Sequence, residues 1–269
     1  MAGNGLAVVH DADGIDDETM LAYARETKLS ETTFVQAGDD EADYRNRIWM
    51  TTGELPFAGH PSLGTAVAVA HVRGDRSARY VQRTVAGLQP CEVQLDGLVA
   101  RASMLQEPPQ FGDELDPAPV LAALGLEAGA AHPDLPPQVV STGVPQLMAP
   151  LADAAALARA RPDAAALGAL MGQTSTVVVY AAVCDPGAAT ADTRGFFVGP
   201  GDDVQEDPAT GSAAGPLMAY LHQRAGLDAL TIDQGVLMGR PSRLDAAFEG
   251  DRPRVGGDVV ILSQGTLHL

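Results

Sequence analysis

Apolar residues recur along the chain with two different periods. Alternation of apolar and polar positions predicts strands at Thr32–Val35 and Tyr44–Met50. Short apolar runs predict further strands at Leu6–Val9, Arg79–Val85, Glu92–Leu95, Leu98–Leu105, Gln138–Ser141, Thr176–Val183 and Gly195–Val198. Helical spacing follows Asp16, a good N-cap, where Met20, Leu21 and Ala24 form one stripe that ends near Lys28. Ile15 and Met20 flank that cap as a hydrophobic staple. Further helices are predicted at Ser62–Val72, closed by Gly74, at Ala118–Leu124, stopped by Gly125, and at Thr210–Arg224. An Ala-rich helical pair lies between Asp153 and Met171, broken at Arg161-Pro162 because proline cannot donate to the helix ladder. Asp11–Gly14 reads as a turn and Glu107–Asp113 as a linker. Strands clustered beside few helices predict an α+β fold.

Composition narrows the function classes. The 269 residues fit one large domain or two ordinary ones. A net charge of −18, from 35 acidic and 17 basic residues, leaves no basic footprint for nucleic acid. Two cysteines, Cys91 and Cys184, are too few for a disulfide framework or a four-cysteine zinc site, and Cys184 ends an apolar run as a core residue. There is no apolar stretch of membrane-spanning length and no basic segment leading into an apolar one at the start, so the default compartment is the cytoplasm and no membrane partner is expected.

A repeat points to the chemistry. His60-Pro-Ser-Leu-Gly-Thr-Ala66 and Asp207-Pro-Ala-Thr-Gly-Ser-Ala213 share the pattern x-Pro-x-x-Gly-[Ser/Thr]-Ala, and each precedes an apolar helix. The match falls once in each half, which indicates an internal duplication. Gly64, Thr65, Gly211 and Ser212 are small enough to let a ligand approach the backbone. Helix N-termini there would favour a small anionic substrate. The titratable residues at matched positions are His60 and Asp207, two different groups suited to a two-sided proton transfer. Each also admits a structural role: His60 as a turn cap, Asp207 as the N-cap of its helix.

The motifs Ser30-Glu-Thr-Thr-Phe34, Glu54-Leu-Pro-Phe-Ala-Gly-His-Pro61 with Gly64-Thr65-Ala66, Glu206–Gly215, Gln234-Gly235 and Met238-Gly-Arg-Pro-Ser242 resemble the phenazine-biosynthesis PhzF family over nearly the whole chain. That family shares the diaminopimelate epimerase and proline racemase fold. The resemblance implies two similar lobes in pseudo-two-fold relation, each a curled, mostly antiparallel sheet around a central helix, with the site in the cleft between them. The expected division is 1–112 for the N-terminal lobe, rejoined by the last C-terminal strand, and 113–269 for the C-terminal lobe. It further implies a homodimer, a small anionic substrate, and no metal or organic cofactor. By the same resemblance Glu31 is the proton shuttle, His60 and Asp207 assist it, and Gly59 and Ser212 meet the substrate. The implied reaction converts trans-2,3-dihydro-3-hydroxyanthranilate to its ketone tautomer. The epimerases of this fold use two cysteines, and neither Cys91 nor Cys184 lies in a matching motif, so two-thiol racemisation is not expected.

On residue alternation alone Glu31 shares a face with Thr33 and Val35, which suits a partly desolvated acid/base or a solvent-facing strand end equally. Gly5 stands where the family has proline, and the family's strand before that turn is expected to be missing or supplied differently. A non-catalytic small-carboxylate binder of the same fold is the alternative. A serine hydrolase is disfavoured because Gly211-Ser212-Ala-Ala-Gly215 places its serine one position too early for a nucleophile elbow.

Overall fold

Two sets of elements, one in each half of the chain, repeat the same order of strands around one central helix in this computed structural model, which describes residues 2–199 and 201–268. The chain divides into two units. The first comprises Asn4–Leu105 and the residues from Gly256 onward. It holds β1 (Leu6–Val9), α1 (Asp17–Thr27), β2 (Glu31–Ala37), β3 (Tyr44–Met50), β4 (Gly53–Leu55), α2 (Gly59–Arg73), β5 (Ser77–Thr84), β6 (Gly87–Asp96) and β7 (Val99–Leu105). The second comprises Gln106–Val255 together with Gly3, whose N–H donates to Pro241 O at 3.1 Å. It holds β8 (Gln110–Glu114), α3 (Pro117–Ala123), β9 (Gln138–Ser141), β10 (Pro145–Pro150), α4 (Ala154–Arg159), α5 (Ala164–Thr174), β11 (Val179–Asp185), β12 (Thr190–Val198), β13 (Val204–Asp207), α6 (Gly211–Ala225), β14 (Ala229–Gln234) and β15 (Ser242–Glu249). The last strand, β16 (Arg252–Val260), contributes Arg252–Val255 to the second unit and Gly256–Val260 to the first. The fold is α+β, as its pattern predicts.

In the first unit the strand order is β1-β2-β3-β5-β6-β7, ending on the later part of β16. β1 and β2 are parallel, β2 and β3 antiparallel, β3 and β5 parallel, and β5 to β7 an antiparallel meander. In the second unit the order runs from β15 through β14, β12, β11, β10 and β9 to β8. There β10 and β11 are parallel, β11 and β12 antiparallel, β12 and β14 parallel, and β14 and β15 antiparallel. The sequence β1 to β7 therefore maps step for step onto β10 to β16. β4 beside β3 corresponds to β13 beside β12. β8, α3 and β9 have no counterpart among the described residues of the first unit. β8 occupies most of the segment expected as a linker; its strand character is masked in the sequence by Pro108, Pro109 and Gly112.

Each unit is built around one apolar helix. In α2, Leu63, Ala66, Val67, Val69 and Ala70 are buried, and in α6 burial is continuous from Ala213 to Leu221. A helix apolar on several sides is stable only when enclosed. α2 packs against Tyr80, Cys91, Val93, Ala102 and Met104 of its unit. α6 packs against Met148, Tyr180, Ile232, Leu244 and Ala246. Both helices run for 15 residues and end on a glycine in the left-handed region, Gly74 at φ 78° and Gly226 at φ 67°.

That shared length corrects the register of the repeat. The pattern read from sequence pairs Gly64 with Gly211 and His60 with Asp207. The helices instead start at Gly59 and Gly211, so Glu54 corresponds to Glu206, Pro56 to Pro208 and His60 to Ser212. The sequence match slipped because both segments carry two overlapping Pro/Gly patterns, and only the helix boundaries tell them apart.

Candidate active site

Among the described residues, four of the six α-helices have an aspartate at the N-cap that accepts a backbone N–H: Asp16, Asp116, Asp153 and Asp163. The other two are α2 and α6. Their N-caps, Ala58 and Thr210, make no side-chain capping bond. The positive ends of these two helices thus keep backbone donors that no side-chain cap satisfies. Asp207 is not the N-cap of α6; it ends β13 three residues earlier.

In the first unit Glu31 opens β2 and His60 is the second residue of α2. Their side chains keep only 14% and 19% of their surface, and His60 Nε2 lies 3.2 Å from Glu31 Oε2, without the alignment of a hydrogen bond. Burial pushes the His60 pKa down to about 3, so the imidazole is neutral at neutral pH. Asn4 Nδ2 lies 3.3 Å from His60 Nδ1, and Ser30 Oγ donates to Asn4 Oδ1 at 3.0 Å. Gly59 is buried at the start of α2. Gly64 and Thr65 lie more than a turn into the helix. A Cβ on Gly64 would stand 2.5 Å from Leu6 Cδ2, and Thr65 Oγ1 shares a 2.8 Å hydrogen bond with Thr33 Oγ1. Their close approaches are to β1 and β2 rather than at the helix terminus.

In the second unit Asp207 Oδ2 accepts from Thr210 Oγ1 at 2.7 Å. Gly211 opens α6, and Ser212 Oγ accepts from Gln146 Nε2 at 3.2 Å.

The strands that carry these groups are held by matching ion pairs. Arg47 on β3 donates twice to Glu54 on β4, through Nε and through Nη2 at 2.9 Å, and Nη2 also reaches Asp17 at 2.9 Å. Arg194 on β12 donates to both oxygens of Glu206 on β13 at 2.9 and 2.7 Å. Each guanidinium lies over the aromatic ring two residues on, Trp49 or Phe196. Arg194 Nη1 also satisfies Leu157 O and Ala160 O at the end of α4. Sequence reasoning missed both arginines, Asn4, Thr210 and Gln146. The spacing Arg-x-aromatic, followed by Glu five residues before the helix glycine, is the signal that would have found the two clamps.

Both cysteines lie outside the helix starts. Cys91 is buried on β6, and burial pushes the Cys184 thiol on β11 up to about 12, so neither is a ready nucleophile.

A family model described as phenazine biosynthesis-like protein matches residues 1–265. The chain is 36% identical over 277 residues to a trans-2,3-dihydro-3-hydroxyanthranilate isomerase of Pseudomonas aeruginosa, covering 100% of this chain and 95% of the relative. Among solved structures, a predicted epimerase from Pseudomonas aeruginosa is 34% identical with a TM-score of 0.83, covering 98% of this chain and 95% of that one. A probable proline racemase from Agrobacterium radiobacter, 12% identical, shares the fold with a TM-score of 0.64, covering 96% of this chain and 84% of that one.

Proposed function

The chain belongs to the phenazine biosynthesis-like protein family, and on that premise we propose that it is a cofactor-independent isomerase that moves a proton within a small cyclic or amino carboxylate. The dihydro-hydroxyanthranilate named for its relative is the first candidate substrate. Glu31 is the proton shuttle. A C–H bond of the substrate breaks as the carboxylate takes the proton, the electron pair passes into the conjugated system, and the same carboxyl returns the proton to another carbon. The enzyme ends in its starting state, with no net redox change. Neutral His60, its Nε2 3.2 Å from Glu31 Oε2, steadies the carboxylate between the two transfers. Asp207 is the second polar group acting on the substrate. Gly59, Gly211 and Ser212 are its contacts at the two uncapped helix starts, which attract the substrate carboxylate.

The observation that carries this reading is the half-buried Glu31–His60 pair with a neutral imidazole. The test follows the absorbance of trans-2,3-dihydro-3-hydroxyanthranilate with the wild type and Glu31→Gln side by side. A loss of roughly 100-fold or more in kcat is expected for a residue that transfers the proton itself. Equal rates would remove Glu31 from the mechanism.

A further inference from the structure

We propose that Gln234, the last residue of β14, is the positioning residue that holds the Asp207 carboxylate in its working orientation. The inference rests on Asp207 acting in the isomerase site. Gln234 is fully buried, yet it touches polar groups on both arms of its amide. The Thr210 backbone N–H, 3.0 Å away, can only donate, so it meets Oε1. The Asp207 carbonyl, 2.7 Å away, can only accept, so it meets Nε2. Two backbone groups thereby fix which way the amide faces, whatever the side chains around it do.

The rest of the network follows from that orientation. The second Nε2 proton goes to Thr210 Oγ1 at 2.8 Å. With its oxygen accepting, Thr210 sends its own proton to Asp207 Oδ2 at 2.7 Å. Behind Gln234, Tyr180 donates its hydroxyl to Oε1 at 2.8 Å and accepts from Thr193 at 2.9 Å. Strand register assembles the set: Thr193 pairs with Gln234 across β12 and β14, and Gly195 pairs with Asp207 across β12 and β13. Gly195 makes the room. A Cβ there would stand 2.8 Å from Thr210 Oγ1 and 3.3 Å from Gln234 Nε2. Gly235, at φ +73°, turns the chain away immediately afterwards, its missing Cβ 2.7 Å from Pro208 O. A buried packing position is filled at less cost by an apolar side chain than by an amide that needs four partners. Three of the four bonds of this amide instead converge on the short segment Asp207–Thr210.

Three variants test the assignment: Gln234→Met, Gln234→Glu and Gln234→Met in an Asp207→Asn background. Gln234→Met should lower kcat by roughly 10- to 100-fold, the scale of a misplaced catalytic group, and leave KM within about twofold. In the Asp207→Asn background the same change should cost little, because residues acting as a unit are not additive. Gln234→Glu keeps the shape and guards against a folding failure. It should be active at low pH, where a protonated carboxyl can still donate to Asp207 O, and lose activity as it ionises, a pH dependence the wild type lacks. A kcat loss equal in both backgrounds, or a Gln234→Glu profile that parallels the wild type, would overturn the proposal. Carboxyl NMR titration of Asp207 separates the proposal from the reading beneath it. If Gln234→Met shifts that titration while Asp207→Asn keeps full activity, the positioning holds and the role of Asp207 in catalysis falls.

Discussion

His60 is a residue whose charge state the fold controls. Its pKa is 6.5 as a free side chain and about 3 in the folded protein, because burial penalises the imidazolium. The unfolded chain therefore binds this proton more readily than the native one. Stability contributed by the neutral ring is complete above pH 6.5 and is lost progressively as pH falls toward 3. Urea unfolding at pH 7 and pH 5 should show the wild type losing more stability across that interval than His60→Gln. Parallel losses would mean another group governs the acid limb. At this scale the sequence was half legible. His60 and Asp207 stand in conspicuous Pro/Gly surroundings, and Glu31 was found only through the family resemblance. Gln234 stands in a family motif, but neither it nor Asn4 shows its role locally, because each gains its meaning from partners 24 and 56 residues away in the chain.

At the scale of elements, the matching Arg–Glu clamps tie a long strand to the short strand that feeds each central helix. The Arg194 and Glu206 side chains are 9% and 17% exposed, so removing one partner leaves a poorly solvated charge. Arg194→Met should destabilise the protein by about 3–5 kcal/mol, and Arg194→Met with Glu206→Met should recover much of that loss. Chemical denaturation of the two variants measures the difference; a double variant no better than the single one would show that the α4 carbonyls, not the ion pair, dominate. Helices were the most readable elements, because capping aspartates and closing glycines mark their ends. β4, β10 and β13 escaped notice. β4 and β13 are three and four residues long, and β10 is bracketed by Pro145 and Pro150, which suppress strand character in the sequence while sitting at its two ends.

For the whole molecule, the net charge of −18 opposes the approach of any anion. Screening shortens the reach of that repulsion from about 10 Å at 0.1 M salt to about 3 Å at 1 M. If backbone donors at helix starts hold the substrate, kcat/KM for the anionic substrate should hold steady or rise as salt increases. A fall of tenfold or more would point to exposed arginines as the binding groups. No helix among the described residues is long and apolar enough to cross a membrane.

The division of β16 also governs the order in which the molecule can be completed. Residues from Gly256 onward belong with Asn4–Leu105, so this unit receives its last strand only after the whole of Gln106–Val255 has been made. During translation β7 waits with an unpaired edge until the ribosome has produced everything between, and Gly256 then fits against Ala102 and Ser103 without a side chain in the way. The nascent first unit keeps that edge open to edge-to-edge association for the whole interval.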